Sequence, residues 1–315
     1  DSAEGVARAA GLALTRLARI FRVLRPDAVL VLGDRYEILA AAEAAMFCRI
    51  PIIHIHGGEA TEGLVDEAIR HAITKMSHLH FVSTARYRER VIQLGEDPRH
   101  VFVVGALGLD SLHSLSFLSR EALEKRLGMV LGGKTLLVTF HPPTLSPGQG
   151  RAQFRELLAA LARLRDTSLI FTLPNADMES LPLLRMVRSF VRRHPRARAF
   201  RSLGQLSYLS CLRQVDAVVG NSSSGLLEAP SFRCATINIG DRQQGRIRGP
   251  TVIDCPPRRG AILRALRKAG SPGFRRKIAR AKNPYDRGGA AGKIIRVLER
   301  CCWEGLLKKK FYDLG

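Results

Sequence analysis

The sequence predicts an α/β fold of two Rossmann-like lobes, each a parallel sheet covered by helices, with a cleft between them. Three observations carry this. Short apolar runs alternate with helical patterns almost throughout, as parallel strands joined by helical crossovers require. The 315 residues suit two domains of ordinary size. A glycine-rich joint near 128–134 splits the alternation into two series. That predicts lobes at 1–127 and 128–315, the last helix being able to pack back on the first lobe.

In the first series, residues 1–26 read as an amphipathic helix, and AVLVL at 28–32 as a strand between Pro26 and Gly33. Helix follows at 35–47, strand at 51–55, and helix at 66–76. Asp66 and Glu67 open that last helix, where the dipole favours acids. Strand 80–83, helix 85–94, strand 101–104 and helix 120–127 complete the series. The second series runs strand 135–140, helix 153–163, strand 168–173, helix 181–192, helix 206–213, strands 217–219 and 235–239, and helices from Ala261 and Ala290.

Composition narrows the function classes. With 46% hydrophobic and 25% charged residues, the chain is neither disordered nor collagen-like. No apolar run is long enough to span a membrane as a helix. The six cysteines form no CxxC pair, so they read as free thiols in a cytoplasmic protein. A net charge of +22 raises nucleic acid as a partner. However, the basic residues are spread along the chain and aromatic residues are only 6%. The thickest basic run, 258–282, is itself amphipathic, as the solvated face of a helix would be. A basic cleft for a phosphorylated ligand fits better than a nucleic-acid surface. The chain opens at Asp1 without a cleavable signal pattern, and reads as part of a longer product or a processed one.

In open α/β sheets the ligand lies beyond the carboxyl ends of the strands, so the residues just after each strand matter most. After the first strand stand Gly33, Asp34 and Arg35. Asp34 reads equally as a helix cap or a functional carboxylate, and Arg35 can grip a phosphate. After the second come His56, Gly57, Gly58 and Glu59, then Asp66 and Glu67. Acids and histidines at a strand tip suit acid–base chemistry. His54 and His56 share a strand face, but no HExxH or Cys/His set accompanies them, so no metal site is expected.

In the second series the first strand delivers His141, readable as a proton donor or as a histidine held by the following prolines. Later GNSSSG leads into a helix carrying Glu228. Small hydroxyl residues at a helix start form an anion site. It is neither a Walker A nor a GxGxxG pattern. Arg242, Arg246 and Arg248 follow the next strand, as a phosphate clamp or as a solvated basic loop.

In order, the chain carries VLGDRYEILAA, IPIIHIHGGEATEG, DEAIRHAITKMSHLHFVS, FHPPT, GNSSSGLLEAPSF and NIGDRQQGRIRG. Together these resemble the hydrolysing UDP-N-acetylglucosamine 2-epimerases of sialic-acid-type sugar synthesis, over essentially the whole chain. The resemblance implies a GT-B fold with a UDP-sugar in the cleft. It implies anti elimination of UDP to a 2-acetamidoglucal, then hydration to free N-acetylmannosamine. It implies neither NAD nor an essential metal, and it implies a homo-oligomer. Position by position it implies catalytic roles for Asp34, His56, Glu59, Asp66 and His141. It implies UDP contacts from Arg35, Asn175, Ser222, Ser223, Glu228 and Arg242.

Two departures stand out. Well-known sialic-acid members carry HIEGGE where this chain has HIHGGE, so His56 replaces a glutamate. That form resembles a bacterial subgroup with a taste for a UDP-2,4-diacetamido-trideoxy sugar. Family members also begin with a strand and a Gly/Arg loop upstream of this chain's first residue; were Asp1 the true start, the first sheet would have an exposed edge. A non-hydrolysing epimerase, a GT-B glycosyltransferase and a basic nucleic-acid module are the competing readings.

Overall fold

The computed structural model describes residues 2–62, 64–142, 148–174 and 180–314. The chain divides into two compact units, Asp1–Asp110 with Tyr285–Gly315, and Ser111–Pro284.

In chain order the first unit opens with helix α1 (Ala3–Leu24), whose N-terminus is capped by the Ser2 hydroxyl on the Gly5 N–H. Then come β1 (Val29–Leu32), α2 (Tyr36–Phe47), β2 (Ile52–Ile55), α3 (Asp66–Met76), β3 (Leu79–Val82), α4 (Ala85–Gln93) and β4 (Val101–Val103). The four strands form one parallel sheet in the order β1-β2-β3-β4. Alternation along β2 sends Ile52 to one face, with Val31, Ala42, Ala45 and Ile73, and Ile53 and Ile55 to the other, with Leu79 and Phe81. β1 lies at the sheet edge, where Leu30 and Leu32 are 48% and 49% exposed.

The second unit contains α5 (Arg120–Leu127), β5 (Lys134–Thr139), α6 (Gln149–Leu161), β6 (Thr167–Thr172), α7 (Ser180–Arg193), β7 (Ala197–Phe200), α8 (Gly204–Gln214) and β8 (Ala217–Gly220). It continues with α9 (Ser224–Leu227), β9 (Ala235–Ile239), β10 (Val252–Cys255), α10 (Arg259–Gly270) and α11 (Pro272–Ala279). The last helix, α12 (Ala290–Glu299), returns to the first unit. The second sheet is parallel in the order β10-β9-β8-β5-β6-β7. The order reverses between β5 and β8, which is the switch point where such sheets bind ligands.

The division differs from the expected one at 127/128 for a packing reason. Leu123 and Leu127 of α5 lie in the second unit's core with Leu137, Ile170, Leu212 and Val218. The chain recrosses at Tyr285, which is buried with its hydroxyl 2.9 Å from that of Tyr87. Asp110 then caps α12, its carboxylate accepting from the N–H groups of Ala290 and Ala291 at 2.8 and 2.6 Å. Strands β7 and β10 were not expected; both are edge strands set among prolines and basic residues. The basic run 258–282 is two helices, not one. Ser271 ends α10 and caps α11, whose first residue is Pro272.

Candidate active site

In the first unit the site is built around a buried arginine. Arg70, on α3, is 0% exposed, yet all five of its N–H donors are bound. Its Nε and Nη2 hold Asp34 Oδ2, the Nε contact at 2.8 Å. Nη2 also donates to Thr61 Oγ1 at 2.8 Å. Nη1 donates to Glu67 Oε2 at 2.7 Å and to the Glu59 carbonyl at 2.9 Å. Burial opposes the guanidinium's charge, but Asp34, Glu59 and Glu67 outweigh it and raise its pKa. Glu67 is lowered to about 2: burial opposes its charge, and bonds from His71, the Thr61 N–H and Arg70 prevail.

His56 follows β2 with φ +70°, uncommon for a non-glycine residue. Its Nδ1 lies 3.1 Å from Glu59 Oε1, and its Nε2 accepts from the Leu107 N–H at 3.4 Å. That pattern puts the ring proton on Nδ1 and leaves Nε2 as the basic nitrogen, loosely held. Glu59 is 3% exposed. A basic imidazole nitrogen whose other nitrogen is oriented by a buried carboxylate is the arrangement of a general acid–base.

His54 is different. It is fully buried, with Nε2 3.0 Å from the Gly33 carbonyl and Nδ1 3.3 Å from Thr74 Oγ1. Burial lowers its pKa to about 3. This neutral ring ties the loop bearing Asp34 to α3. The glycines after His56 serve close approach: a Cβ on Gly58, at φ +75°, would sit 2.3 Å from the Tyr87 carbonyl.

Not every expected residue joins this cluster. Asp66 is the first residue of α3, and Arg70 binds its neighbour Glu67 instead. Arg35 turns to Glu37, 3.2 Å away, with its guanidinium 5.8 Å from the Tyr36 ring. Arg70 was missed by sequence reasoning, which named Glu67 only among the acids following the second strand. The available signal was a charged side chain on the apolar side of α3, beside Ile69 and Ile73.

In the second unit, the candidate side chains follow β5, β8 and β9. Gly220 ends β8 at φ +140°, where a Cβ would lie 1.8 Å from the Thr139 carbonyl. The next residue, Asn221, is 1% exposed. Its Oδ1 accepts from the His141 N–H at 2.7 Å, and its Nδ2 donates to the His141 carbonyl at 2.8 Å. The Asn221 carbonyl accepts from Arg242 Nη1 at 3.2 Å and Gln243 Nε2 at 2.8 Å. His141, Asn221 and Arg242 are thus drawn together, with Ser222 and Ser223 next in the chain.

α9 has only four residues, so the serine turn offers an anion N–H and hydroxyl groups rather than a long helix dipole. Glu228 follows α9 instead of lying within it; burial raises its pKa, and a bond from Ser224 works against this. The Ser224 hydroxyl is paired with that of Tyr208. Of the three loop arginines, Arg242 bonds the Asn221 carbonyl just beyond β8. Arg246 bonds Gln243 at 3.0 Å, and Arg248 pairs with Asp254 at 2.7 Å. Asn175 and the threonine of the HPPT motif, Thr144, lie outside the described residues.

Comparison with known proteins decides the family. The family model described as UDP-N-acetylglucosamine 2-epimerase matches residues 1–299. The chain belongs to the UDP-N-acetylglucosamine 2-epimerase family. It is 39% identical over 316 residues to the GDP/UDP-N,N'-diacetylbacillosamine 2-epimerase (hydrolyzing) of Campylobacter jejuni, covering 100% of this chain and 82% of that protein. It is 44% identical over 274 residues to the polysialic acid biosynthesis protein P7 of Escherichia coli, covering 87% of this chain and 70% of that one. The structure of the Neisseria meningitidis UDP-GlcNAc 2-epimerase bound to UDP-GlcNAc matches with a TM-score of 0.82 at 19% identity, over 94% of this chain and 82% of that one. The two units with their parallel sheets accordingly have the GT-B type of fold of these epimerases. Among the described residues of this family member, no helix is long and apolar enough to cross a membrane.

Proposed function

We propose that this family member is a hydrolysing 2-epimerase converting UDP-N-acetylglucosamine and water to N-acetylmannosamine and UDP. The observation that carries the reading is the pairing of His56 with Glu59, in a unit where Arg70 holds the carboxylates of Asp34 and Glu67. These are proton-handling groups at strand tips, while the second unit's strand tips carry hydroxyl and guanidinium donors. The name "hydrolyzing" on the Campylobacter relative supports the same outcome.

The sugar C2–H is weakly acidic, so its base must be held ready while cations stabilise the departing diphosphate. A base takes the C2 proton, and that electron pair becomes the C1=C2 bond. The C1–O bond to UDP breaks on the opposite face, and UDP leaves with its electrons. Water then adds to the glucal, hydroxyl to C1 and proton to the other face of C2. The net change is one water consumed and C2 inverted.

His56 is the acid–base on one face of C2, with Glu59 orienting it. Asp34 and Asp66 are the carboxylates for the companion proton transfer. His141 donates to the leaving diphosphate, which Ser222, Ser223 and Arg242 hold. Glu228 binds the ribose hydroxyls, and Arg35 and Asn175 complete the nucleotide contacts. The same reading makes the protein a cytoplasmic homo-oligomer.

A second reading keeps the chemistry and changes the sugar to UDP-2,4-diacetamido-2,4,6-trideoxyglucose. The substrate in the name of the 39% identical relative favours it. Incubating the chain with each UDP-sugar and assaying free UDP and free sugar tests both readings. UDP-N-acetylmannosamine without free UDP would instead indicate a non-hydrolysing epimerase.

A further inference from the structure

We propose that Asn221 is the positioning residue of the second unit's half of the site, fixing His141 against the serine turn through its side-chain amide. This rests on the reading of His141 as a catalytic group.

The register of β5 with β8 ends at Thr139 opposite Gly220. Beyond that point the Asn221 N–H still donates to the Thr139 carbonyl at 3.1 Å, at the switch point of the sheet. Buried main-chain groups such as those of His141 need hydrogen-bond partners. Asn221 supplies both partners from a single carboxamide, accepting from the His141 N–H and donating to its carbonyl. It thus extends the pairing to the residue that carries the imidazole. No other side chain of this size donates and accepts through a rigid plane. Aspartate would set a second acceptor against the His141 carbonyl and bring a negative charge beside the serines. Gly220 makes the placement feasible, since only glycine lets the chain pass so close to Thr139.

The main-chain carbonyl of Asn221 does a separate job. It receives Arg242 and Gln243, and it does so whatever the side chain is. Changing the side chain therefore frees His141 and leaves the Arg242 anchor in place. A positioning role predicts a split: turnover falls while UDP affinity stays.

The test uses the full chain with Asn221→Ala; Asn221→Ser replaces it should it fail to fold. UDP affinity is measured by calorimetry, turnover by UDP release, and the His141 imidazole by NMR, its signal assigned through its loss in His141→Ala. Turnover should fall about 100-fold, as a small misplacement of a reacting group can cause. UDP affinity should stay within about threefold, and adding Asn221→Ala to His141→Gln should cost less than about threefold more. The His141 signal should move in every Asn221 variant. Parallel loss of affinity and turnover, unchanged turnover, or an unmoved His141 signal each overturns the proposal. If the unaltered chain turns over neither sugar, the function reading fails, and the His141 signal still decides the role of Asn221.

Discussion

Arg70 and Asp34 are joined by two hydrogen bonds to one carboxylate oxygen, Oδ2, although they lie 36 residues apart. The pair fastens the tip of β1 to α3, with Glu67 on the guanidinium's other side. Removing a buried partner from such a set leaves charges without compensation, which costs about 3–5 kcal/mol. Arg70→Met should therefore lower stability to urea by that amount. Arg70→Lys should lie between the two, because an ammonium cannot fork. Equal stability of all three forms would mean that the cluster contributes nothing.

The His56–Glu59 pair predicts a catalytic effect without a binding one. Glu59→Gln removes the carboxylate that orients the imidazole. It should lower kcat by about 100-fold or more, while calorimetry with UDP shows unchanged affinity. A rate like that of the unaltered chain would remove Glu59 from the mechanism.

In the second unit, Ser223→Ala combined with Arg242→Ala should weaken UDP binding by about 2–4 kcal/mol, the sum for a hydroxyl and a charge-assisted hydrogen bond. Unchanged affinity would put the diphosphate elsewhere.

Acid stability reports on the buried histidines. Burial lowers His54 to about 3, while in the unfolded chain it titrates near about 6.5. Between these values the unfolded chain binds the extra proton. Stability should therefore fall as pH drops below about 6.5, by about 1.4 kcal/mol per pH unit for this one group. His78, lowered to about 4, and His80, also lowered, are both shifted chiefly by burial and act in the same direction. Urea titrations at pH 7, 6 and 5 should show a shallower slope for His54→Gln than for the unaltered chain. Identical slopes would mean that His54 is protonated in the folded state.

The alternation of strands and helices was legible because buried parallel strands are nearly all apolar, as TLLVTF is; AVLVL reads the same way although β1 is a half-exposed edge. Asp66–Met76, Arg120–Leu127 and Ala235–Ile239 fall where the pattern puts them. β7 and β10 were not legible, since an edge strand such as ARAF carries exposed arginine and no continuous apolar run. Candidate side chains at strand tips can be named from topology alone. Their partners cannot, because the contact of Arg70 with Asp34, or of Asn221 with His141, joins residues far apart in sequence. Nor does the alternating pattern, which puts His54 and His56 on one strand face, distinguish the two: His54 is a buried fastening within β2, while His56 turns out of the strand at φ +70°.

The central claim is that this chain removes and replaces the C2 proton of a UDP-amino sugar while releasing UDP. The direct measurement is proton NMR of the chain with UDP-N-acetylglucosamine, and in parallel with UDP-2,4-diacetamido-2,4,6-trideoxyglucose, in deuterated water. One of the two should yield free UDP and the free 2-epimeric sugar with deuterium at C2. Release of UDP with the C2 proton retained, or no UDP from either sugar, would contradict the account.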